Sequence, residues 1–228
     1  MFIYRKIKFV RFYGTVSVFS IPINLGQPYL GPDKSPSLIY NSGLLKLLGN
    51  CGWRVKQIPE ISSSSDSNII SQLNHDELNY NARNINQIGQ VCNRIYNDIS
   101  KEADSNNFIL VLGGDHCIPI GTIPGLLSKR PNTGIVWVDA HADINSPETS
   151  SSGNMHGMPL SFLLGLVKDY NRIPSMTWFQ PCLNPSDIVY IGLRDLDEPE
   201  KKIIKQLGIK AFTMYDIDKY GIGLVMDK

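Results

Sequence analysis

Two carboxylates and one imidazole alternate in the stretch Asp139-Ala140-His141-Ala142-Asp143, which directly follows an apolar run at 134–138. Alternate side chains of an extended chain lie on one face, so we expect these three side chains to point the same way off the end of a strand. Two oxygen ligands and one nitrogen ligand suit a hard or borderline metal ion. The stretch therefore predicts a metal site, and the alternative is an Asp-rich strand end with a capping role.

Two further motifs carry side chains that could act with this stretch. The motif Gly113-Gly114-Asp115-His116 follows an apolar run at 108–112, and His156 lies in a glycine- and serine-containing loop at 150–159. Imidazole titrates close to neutral pH, which suits proton transfer. We expect His156 to handle protons, and the alternative is a hydrogen bond that braces its loop.

The segments around these motifs predict the fold. Helical spacing of apolar residues occurs at 35–48 and 81–101. The candidate strands are 15–21, 53–58, 108–112, 134–138, 188–191 and 210–214. Strands that alternate with helices predict a three-layer α/β/α domain with a mostly parallel, doubly wound sheet. The continuous apolar run at 108–112 predicts a strand that is buried on both faces. Ligands of such sheets bind beyond the carboxyl ends of the strands, where the three motifs fall.

Composition limits the classes of function. The chain has 228 residues, a formal net charge of +1 and 42% hydrophobic residues, which is typical of a soluble globular protein and gives no reason to expect a nucleic-acid partner. Its four cysteines include no Cys-x-x-Cys pair, which favours free thiols in a reducing compartment. Apolar runs all fall short of the roughly 18 residues that span a bilayer, so we expect no membrane contact.

The first residues differ from the remainder. Residues 1–14 are basic, and the first acidic residue of the chain is Asp33. We expect 1–14 to be a flexible leader and 15–228 to be one α/β domain. A transit peptide is also basic and free of acids. Because this leader is short and not rich in serine, we expect a cytoplasmic protein, with an organelle as the alternative.

Together, in this order and spacing, the three motifs resemble those of the arginase family of manganese ureohydrolases. The resemblance runs from about Val16 to Lys228 and includes 21–36 and 181–196, with Tyr190-Ile191-Gly192-Leu193-Arg194. It implies an arginase/deacetylase-like fold and a hydrolase of linear amidine C–N bonds, which converts L-arginine to L-ornithine and urea with a metal-bridging hydroxide. Such an enzyme belongs to arginine metabolism and the urea cycle. Metal ions suit this reaction because neutral water is a weak nucleophile, and metals lower its pKa.

The resemblance also implies roles for single residues. The implied manganese ligands are His116, Asp139, His141 and Asp143, of which Asp139 bridges two ions. The implied catalytic residues are His156, which handles a proton, and Asp143, which holds the attacking hydroxide. The implied substrate-binding residues are His141, Asn145, Ser152, Asn154 and Asp197. Among these, the Asn/Ser group binds the α-carboxylate and Asp197 binds the α-amino group. Asp195 and Glu200 lie nearby, and for all three acids the alternative is a solvated loop charge.

The sequence given ends at Lys228, whereas the family continues through two more strands, one of which carries an Asp-x-Asp pair of ligands. The resemblance places those strands between 108–112 and 134–138, so we expect two unpaired strand edges there. We also expect one metal position to keep only His141 and Asp139, and the activity of this chain alone to be low. Asp216-Ile217-Asp218 has the same letters, but we interpret Asp216 as a helix cap.

Two alternatives to an arginase stay open. One is an agmatinase-like ureohydrolase, although the Asn/Ser loop for the α-carboxylate favours arginine over agmatine. The other is a catalytically inactive arginase-like subunit with a binding or regulatory role. The resemblance implies a small-molecule substrate, L-arginine, and a homotrimer, whose interface elements near the carboxyl terminus lie beyond the sequence given.

Overall fold

A computed structural model describes residues 14–62, 80–103 and 107–228 of the chain. The predicted leader therefore lies outside the described residues, apart from Gly14. In the described part, seven α-helices alternate with six strands, which confirms the predicted α/β class. The helices are α1 Ser35–Asn41, α2 Leu44–Asn50, α3 Ile85–Glu102, α4 Pro119–Leu127, α5 Pro159–Leu163, α6 Glu198–Leu207 and α7 Met214–Met226. None of them is long and apolar enough to cross a membrane.

The strands form two parallel sheets of three strands each. The first sheet has the order β2–β1–β3, with β1 at Thr15–Ile21, β2 at Arg54–Gln57 and β3 at Asn107–Gly113. The second sheet has the order β4–β5–β6, with β4 at Ile135–Val138, β5 at Ile188–Leu193 and β6 at Lys210–Thr213. Every strand pair is parallel, as the alternation of strands and helices predicts.

Helices cover both faces of the first sheet. The side chains of β1 point alternately to the two faces, so each face packs against its own helices. Val16 and Val18 pack with residues of α1 and α2, whereas Phe19 and Ile21 belong to the main core with α3 and α4. The buried face of α3 includes Ile88, Cys92, Ile95 and Ile99, which are at most 1% exposed. These residues recur every three or four positions, which is the spacing that predicted the helix. The result is a layer of helices on each side of the strands.

The prediction that 108–112 is buried on both faces is wrong. Phe108 is 54% exposed, and of the residues of β3 only Leu112, at 8% exposure, is buried. The reason is that β3 is an edge strand, and so is β4, where Val138 is 73% exposed. These are the two unpaired edges that we expected, and no strand pairing joins them in the part of the chain that the structure describes.

Two local predictions concern helix ends. The helix predicted at 35–48 is two helices, since Gly43 between them has a φ of +96°, in the left-handed region that glycine tolerates. Asp216 takes part in the cap of α7, as interpreted: Thr213 is the N-cap residue, and Asp216 accepts a hydrogen bond of 2.7 Å from the Thr213 backbone. The two residues form a capping box.

Candidate functional site

The carboxyl ends of β3 and β4 bring two motifs together. His116 lies just beyond β3, and Asp139 directly follows β4. The His116 ring packs against the ring of Trp137 in β4, with 4.9 Å between ring centroids. The backbone of Asp139 donates a hydrogen bond of 3.1 Å to Ile191 in β5, which holds the end of β4 against its neighbour. Parallel strands place their carboxyl ends at one edge, so residues distant in sequence meet there.

Three of the predicted metal ligands form a tight cluster. Nδ1 of His116 lies 2.7 Å from Oδ2 of Asp143 and 3.3 Å from Oδ2 of Asp139. One potential ligand atom from each of these residues lies within 4.8 Å of the other two. This spacing allows one cation to contact all three side chains. Imidazole and carboxylate are ligands that suit divalent metals such as manganese and zinc.

The geometry of the 139–143 stretch differs from the predicted extended segment. The backbone bends at Asp139 to His141, and Asp143 has a φ of +51°, in the left-handed region. The carboxylates of Asp139 and Asp143 therefore reach the same His116 nitrogen through this bent segment and not along one face of an extended strand. The His141 ring lies between two carboxylates, with Nδ1 3.4 Å from Asp139 Oδ1 and Nε2 3.4 Å from Asp195 Oδ2. His141 thus stands beside the cluster and shares Asp139 with it.

The electrostatics of the cluster favour a cation. Oδ2 of Asp143 is buried and no directed hydrogen bond satisfies it, although Nδ1 of His116 is close. Leaving a buried carboxylate oxygen without a partner is costly, and a coordinated cation would satisfy it. Burial acts to lower the pKa of His116, but Asp143, Asp139 and Asp115 together raise it above its ordinary value. The raised pKa reflects the negative potential that these carboxylates create. The residues present therefore fit a bound metal ion.

Hydrogen bonds from β5, from the loop after β5 and from α5 hold the backbone of the turn that carries Asp143. The Tyr190 hydroxyl of β5 donates a hydrogen bond of 2.8 Å to the carbonyl of Ala142. The Leu160 backbone of α5 donates one of 3.0 Å to the carbonyl of Asp143. The Arg194 backbone N–H, just after β5, donates one of 2.9 Å to the carbonyl of Ala140. The conformation of this turn therefore depends on residues well downstream in the sequence.

A pocket of about 360 Å³ opens above the cluster. It is lined by all nine predicted site residues, namely His116, Asp139, His141, Asp143, Asn145, Ser152, Asn154, His156 and Asp197. Sequence reasoning did not single out Ser150, Ser151 and Gly157, which also line it. Those three lie inside the motif at 150–159, but nothing in their residue types distinguishes them from ordinary loop residues.

Gly26 links the two histidine-bearing turns. Its backbone N–H donates a hydrogen bond of 2.7 Å to Oδ2 of the buried Asp115, and its carbonyl accepts one of 3.0 Å from the His156 backbone. Asp115 also accepts a hydrogen bond of 3.0 Å from the backbone of Cys117. A Cβ on Gly26 would collide with the Asp115 carboxylate. The positions of His116 and His156 are therefore tied through one close backbone contact.

The pocket lining also carries neutral and acidic groups outside the cluster. Asn145 donates a hydrogen bond of 2.8 Å to Oδ2 of Asp197, whose other oxygen caps α6 by accepting a bond from Glu200. Glu200 is 6% exposed, and burial raises its pKa, although backbone N–H groups act to lower it. Asp195 has an 83% exposed side chain. The alternative of a solvated loop charge therefore fits Asp195 and does not fit Glu200.

Comparisons with known proteins agree on one family. A sequence model described as the arginase family matches residues 15–228. Arginase from Saccharomyces cerevisiae is 40% identical over 224 residues, which cover 93% of this chain and 66% of that protein. The structure of arginase from Bacillus caldovelox has a TM-score of 0.82 at 33% identity. The matched region covers 94% of this chain and 69% of the Bacillus caldovelox chain. Arginase from Entamoeba histolytica, solved in complex with L-ornithine, has a TM-score of 0.79 at 32% identity. The match covers 94% of this chain and 69% of the Entamoeba histolytica chain.

The chain is shorter than the curated relatives that it matches. It spans 66% of the yeast arginase and 58% of a Xenopus laevis arginase, which is less than two thirds of the length of each. The part that it does cover includes the whole of the cluster and pocket described above, since both lie within residues 15–228.

Proposed function

Since the chain belongs to the arginase family, we propose that it is an arginase-type hydrolase that converts L-arginine to L-ornithine and urea. One observation carries the proposal: the cluster of His116, Asp139 and Asp143 opens into a pocket that also holds an imidazole and a wall of amide, hydroxyl and carboxylate groups. Such a pocket can bind the guanidinium group at one end and an amino-acid group at the other.

We propose manganese as the metal. His116, Asp139 and Asp143 would hold it, and His141 beside Asp139 would contribute to a second ion. Imidazole and carboxylate together suit manganese, and the absence of cysteine from the cluster argues against a softer, thiolate-preferring metal. Bound manganese would lower the pKa of water and so provide hydroxide at neutral pH.

The residues of the chain divide the remaining tasks. The Asp143 carboxylate is buried at the cluster, so besides holding the metal it can accept the proton of the attacking nucleophile and orient that nucleophile toward the guanidinium carbon. Addition at that carbon is followed by cleavage of one C–N bond, and the amine that leaves needs a proton. His156 stands in the pocket wall and can supply that proton from its imidazole. The products are then urea and the free δ-amine of ornithine.

The amino-acid end of the substrate would bind lining residues outside the metal cluster. Asn145, Ser152 and Asn154 offer amide and hydroxyl donors to an α-carboxylate, and Asp197 offers a carboxylate to an α-ammonium group. Donors and acceptors of this kind are expected where an amino acid binds. The structure of the Entamoeba histolytica relative was solved with L-ornithine, the amino-acid product of the proposed reaction.

We further propose a cytoplasmic homotrimer. Support for the location comes from the cysteines, since Cys51, Cys92, Cys117 and Cys182 are all free. Support for the trimer comes from the resemblance to arginases alone. Light scattering of the purified protein tests the assembly, and a monomer at micromolar concentration would contradict it.

Substrate choice tests the proposed activity. The purified protein with added manganese should release urea from L-arginine, and release less from agmatine, which lacks the α-carboxylate. A preference for agmatine would instead support the agmatinase alternative. The matched control is Asp143→Asn, which keeps the size of the side chain and removes its charge. Urea release that is unaffected by this substitution would exclude the cluster as the reaction centre.

A further inference from the structure

The part of the pocket lining that we propose for the amino-acid end of the substrate has neither helix nor strand. Residues 145–154 contain turns and bends but neither helix nor strand. Nevertheless, this loop supplies five pocket residues, namely Asn145, Ser150, Ser151, Ser152 and Asn154. Without a ladder of backbone hydrogen bonds, the position of such a loop must come from contacts with neighbouring segments.

Asn81 provides the central contacts. Its Nδ2 donates hydrogen bonds of 2.7 Å to the carbonyl of Ser150 and 3.2 Å to the carbonyl of Pro147, so both amide hydrogens are directed at the loop. Two residues later, the Arg83 backbone donates a bond of 2.8 Å to the carbonyl of Gly153. Three loop carbonyls are therefore held by one short segment.

The loop approaches this segment closely at Gly153. Gly153 is buried and has a φ of +70°, which disfavours any other residue. A Cβ there would lie 2.5 Å from Oδ1 of Asn81. The Asn81 side chain thus fills the space beside Gly153. It also donates hydrogen bonds to the carbonyls of Pro147 and Ser150, which precede Gly153 in the loop. The fit requires a small, planar side chain with two donor hydrogens.

The segment that holds the loop is itself anchored. The Tyr80 hydroxyl donates a hydrogen bond of 2.8 Å to the carbonyl of Lys168, and Nδ2 of Asn84 donates one of 2.8 Å to the carbonyl of Leu25. Between them, Ala82 is 6% exposed. The segment then continues into α3, whose apolar face is buried in the main core. Asn81 is exposed, but the segment that carries it is held on both sides by these contacts.

We infer that Asn81 is a positioning residue that sets the selectivity of the pocket for substrates with an α-carboxylate. The inference rests on the proposed function, because it assigns the 145–154 loop to the amino-acid end of the substrate. Asn81 is not among the described residues that line the pocket, and its bonds go to the loop and not to the metal cluster. Its loss shifts the loop and leaves the metal ligands in place.

The choice of substitution distinguishes the effect of losing the hydrogen-bond donors from the effect of changing the shape of the side chain. Asn81→Asp keeps the shape but directs a carboxylate at two carbonyl oxygens, which repels the loop. Asn81→Ala removes the contacts without repulsion. Gly153→Ala disturbs the same contact from the side of the loop. Asn97→Ala is the matched control, since Asn97 is exposed on α3 and, among the described residues, donates to Asn93 of the same helix.

The readout is ligand affinity, measured by calorimetry on the full chain with manganese present. L-ornithine carries the α-carboxylate, and putrescine is the same diamine without it. Loss of hydrogen bonds of this kind predicts affinity for L-ornithine that is about three- to tenfold weaker in Asn81→Ala, and weaker still in Asn81→Asp. The affinity for putrescine, and the behaviour of Asn97→Ala, should match those of the unaltered protein.

Each outcome decides the inference. Equal losses for L-ornithine and putrescine would overturn it, and so would unchanged affinities in all three variants or no L-ornithine binding by the unaltered protein. Gly153→Ala provides the same comparison if a substitution at Asn81 prevents folding. An unaltered protein that binds L-ornithine selectively but releases no urea from L-arginine would contradict the proposed activity alone. In that case the affinities of the variants still decide the role of Asn81.

Discussion

Tyr190→Phe tests how the fold holds the metal cluster. Tyr190 is fully buried in β5, and its hydroxyl donates a hydrogen bond of 2.8 Å to the carbonyl of Ala142, which lies between His141 and Asp143. Phenylalanine keeps the ring and removes only the donor. The substitution therefore leaves packing intact and frees one buried carbonyl in the turn that carries Asp143.

The magnitude follows from burial. A buried acceptor that loses its partner costs about 1–3 kcal/mol in free energy of unfolding. For a chain of this size, a loss of about 2 kcal/mol lowers the melting temperature by roughly 4–8 °C. The same change loosens the turn that carries Asp143. Loss of contacts that orient metal ligands typically weakens metal affinity by about 10- to 100-fold, so we expect weaker manganese binding in that range.

The assay combines thermal denaturation without metal and a manganese titration followed by electron paramagnetic resonance of the free ion. Tyr80→Phe is the matched control, because its hydroxyl makes a hydrogen bond of the same length, 2.8 Å, at an exposed site. The control should change stability by less than about 1 kcal/mol and leave manganese affinity unchanged. If Tyr190→Phe bound manganese as tightly as the control, the account of how the turn is held would be refuted.

Three further predictions address separate contacts. Gly26→Ala places a methyl group against the Asp115 carboxylate and should lower kcat for L-arginine by about tenfold, because it displaces the segments that carry His116 and His156. Gly49→Ala is the control, because Gly49 has open space around it, and equal kcat values for the two variants would contradict this prediction. Thr213→Ala removes the N-cap of α7 and should lower the melting temperature by about 2–4 °C without changing urea release; a loss of activity at unchanged stability would count against a purely capping role. Burial raises the pKa of Glu200, so the native state holds its proton more tightly than the unfolded chain, and stability should fall as pH rises from its ordinary pKa of 4.5 toward the raised value. Denaturation across this range should show a smaller fall for Glu200→Gln, and an identical pH dependence would refute the assignment.

The sequence predicted the membership of the site better than its geometry. His116, the 139–143 stretch and the 150–159 loop could be assigned to one location, because carboxyl ends of parallel strands meet at one edge. The bend at Asp139 could not be predicted. It depends on bonds from Tyr190, Leu160 and Arg194, which no local pattern reveals.

The misassigned burial of β3 has a related cause. A run such as Phe108 to Leu112 reports that a strand is apolar, and not whether a neighbour lies on each side of it. The break at Gly43 shows the opposite case, since apolar spacing continued across a residue whose backbone leaves the helix. Both errors arise where long-range pairing or a single backbone dihedral overrides a periodic pattern.

The most direct test of the central claim measures initial rates of urea release from L-arginine against manganese bound per chain. We expect urea and L-ornithine to appear in equal amounts, at a rate that rises in proportion to bound manganese. Asp143→Asn should show neither tight manganese binding nor urea release above background. Unaltered protein that binds manganese at His116, Asp139 and Asp143 and still releases no urea above this variant would contradict the account.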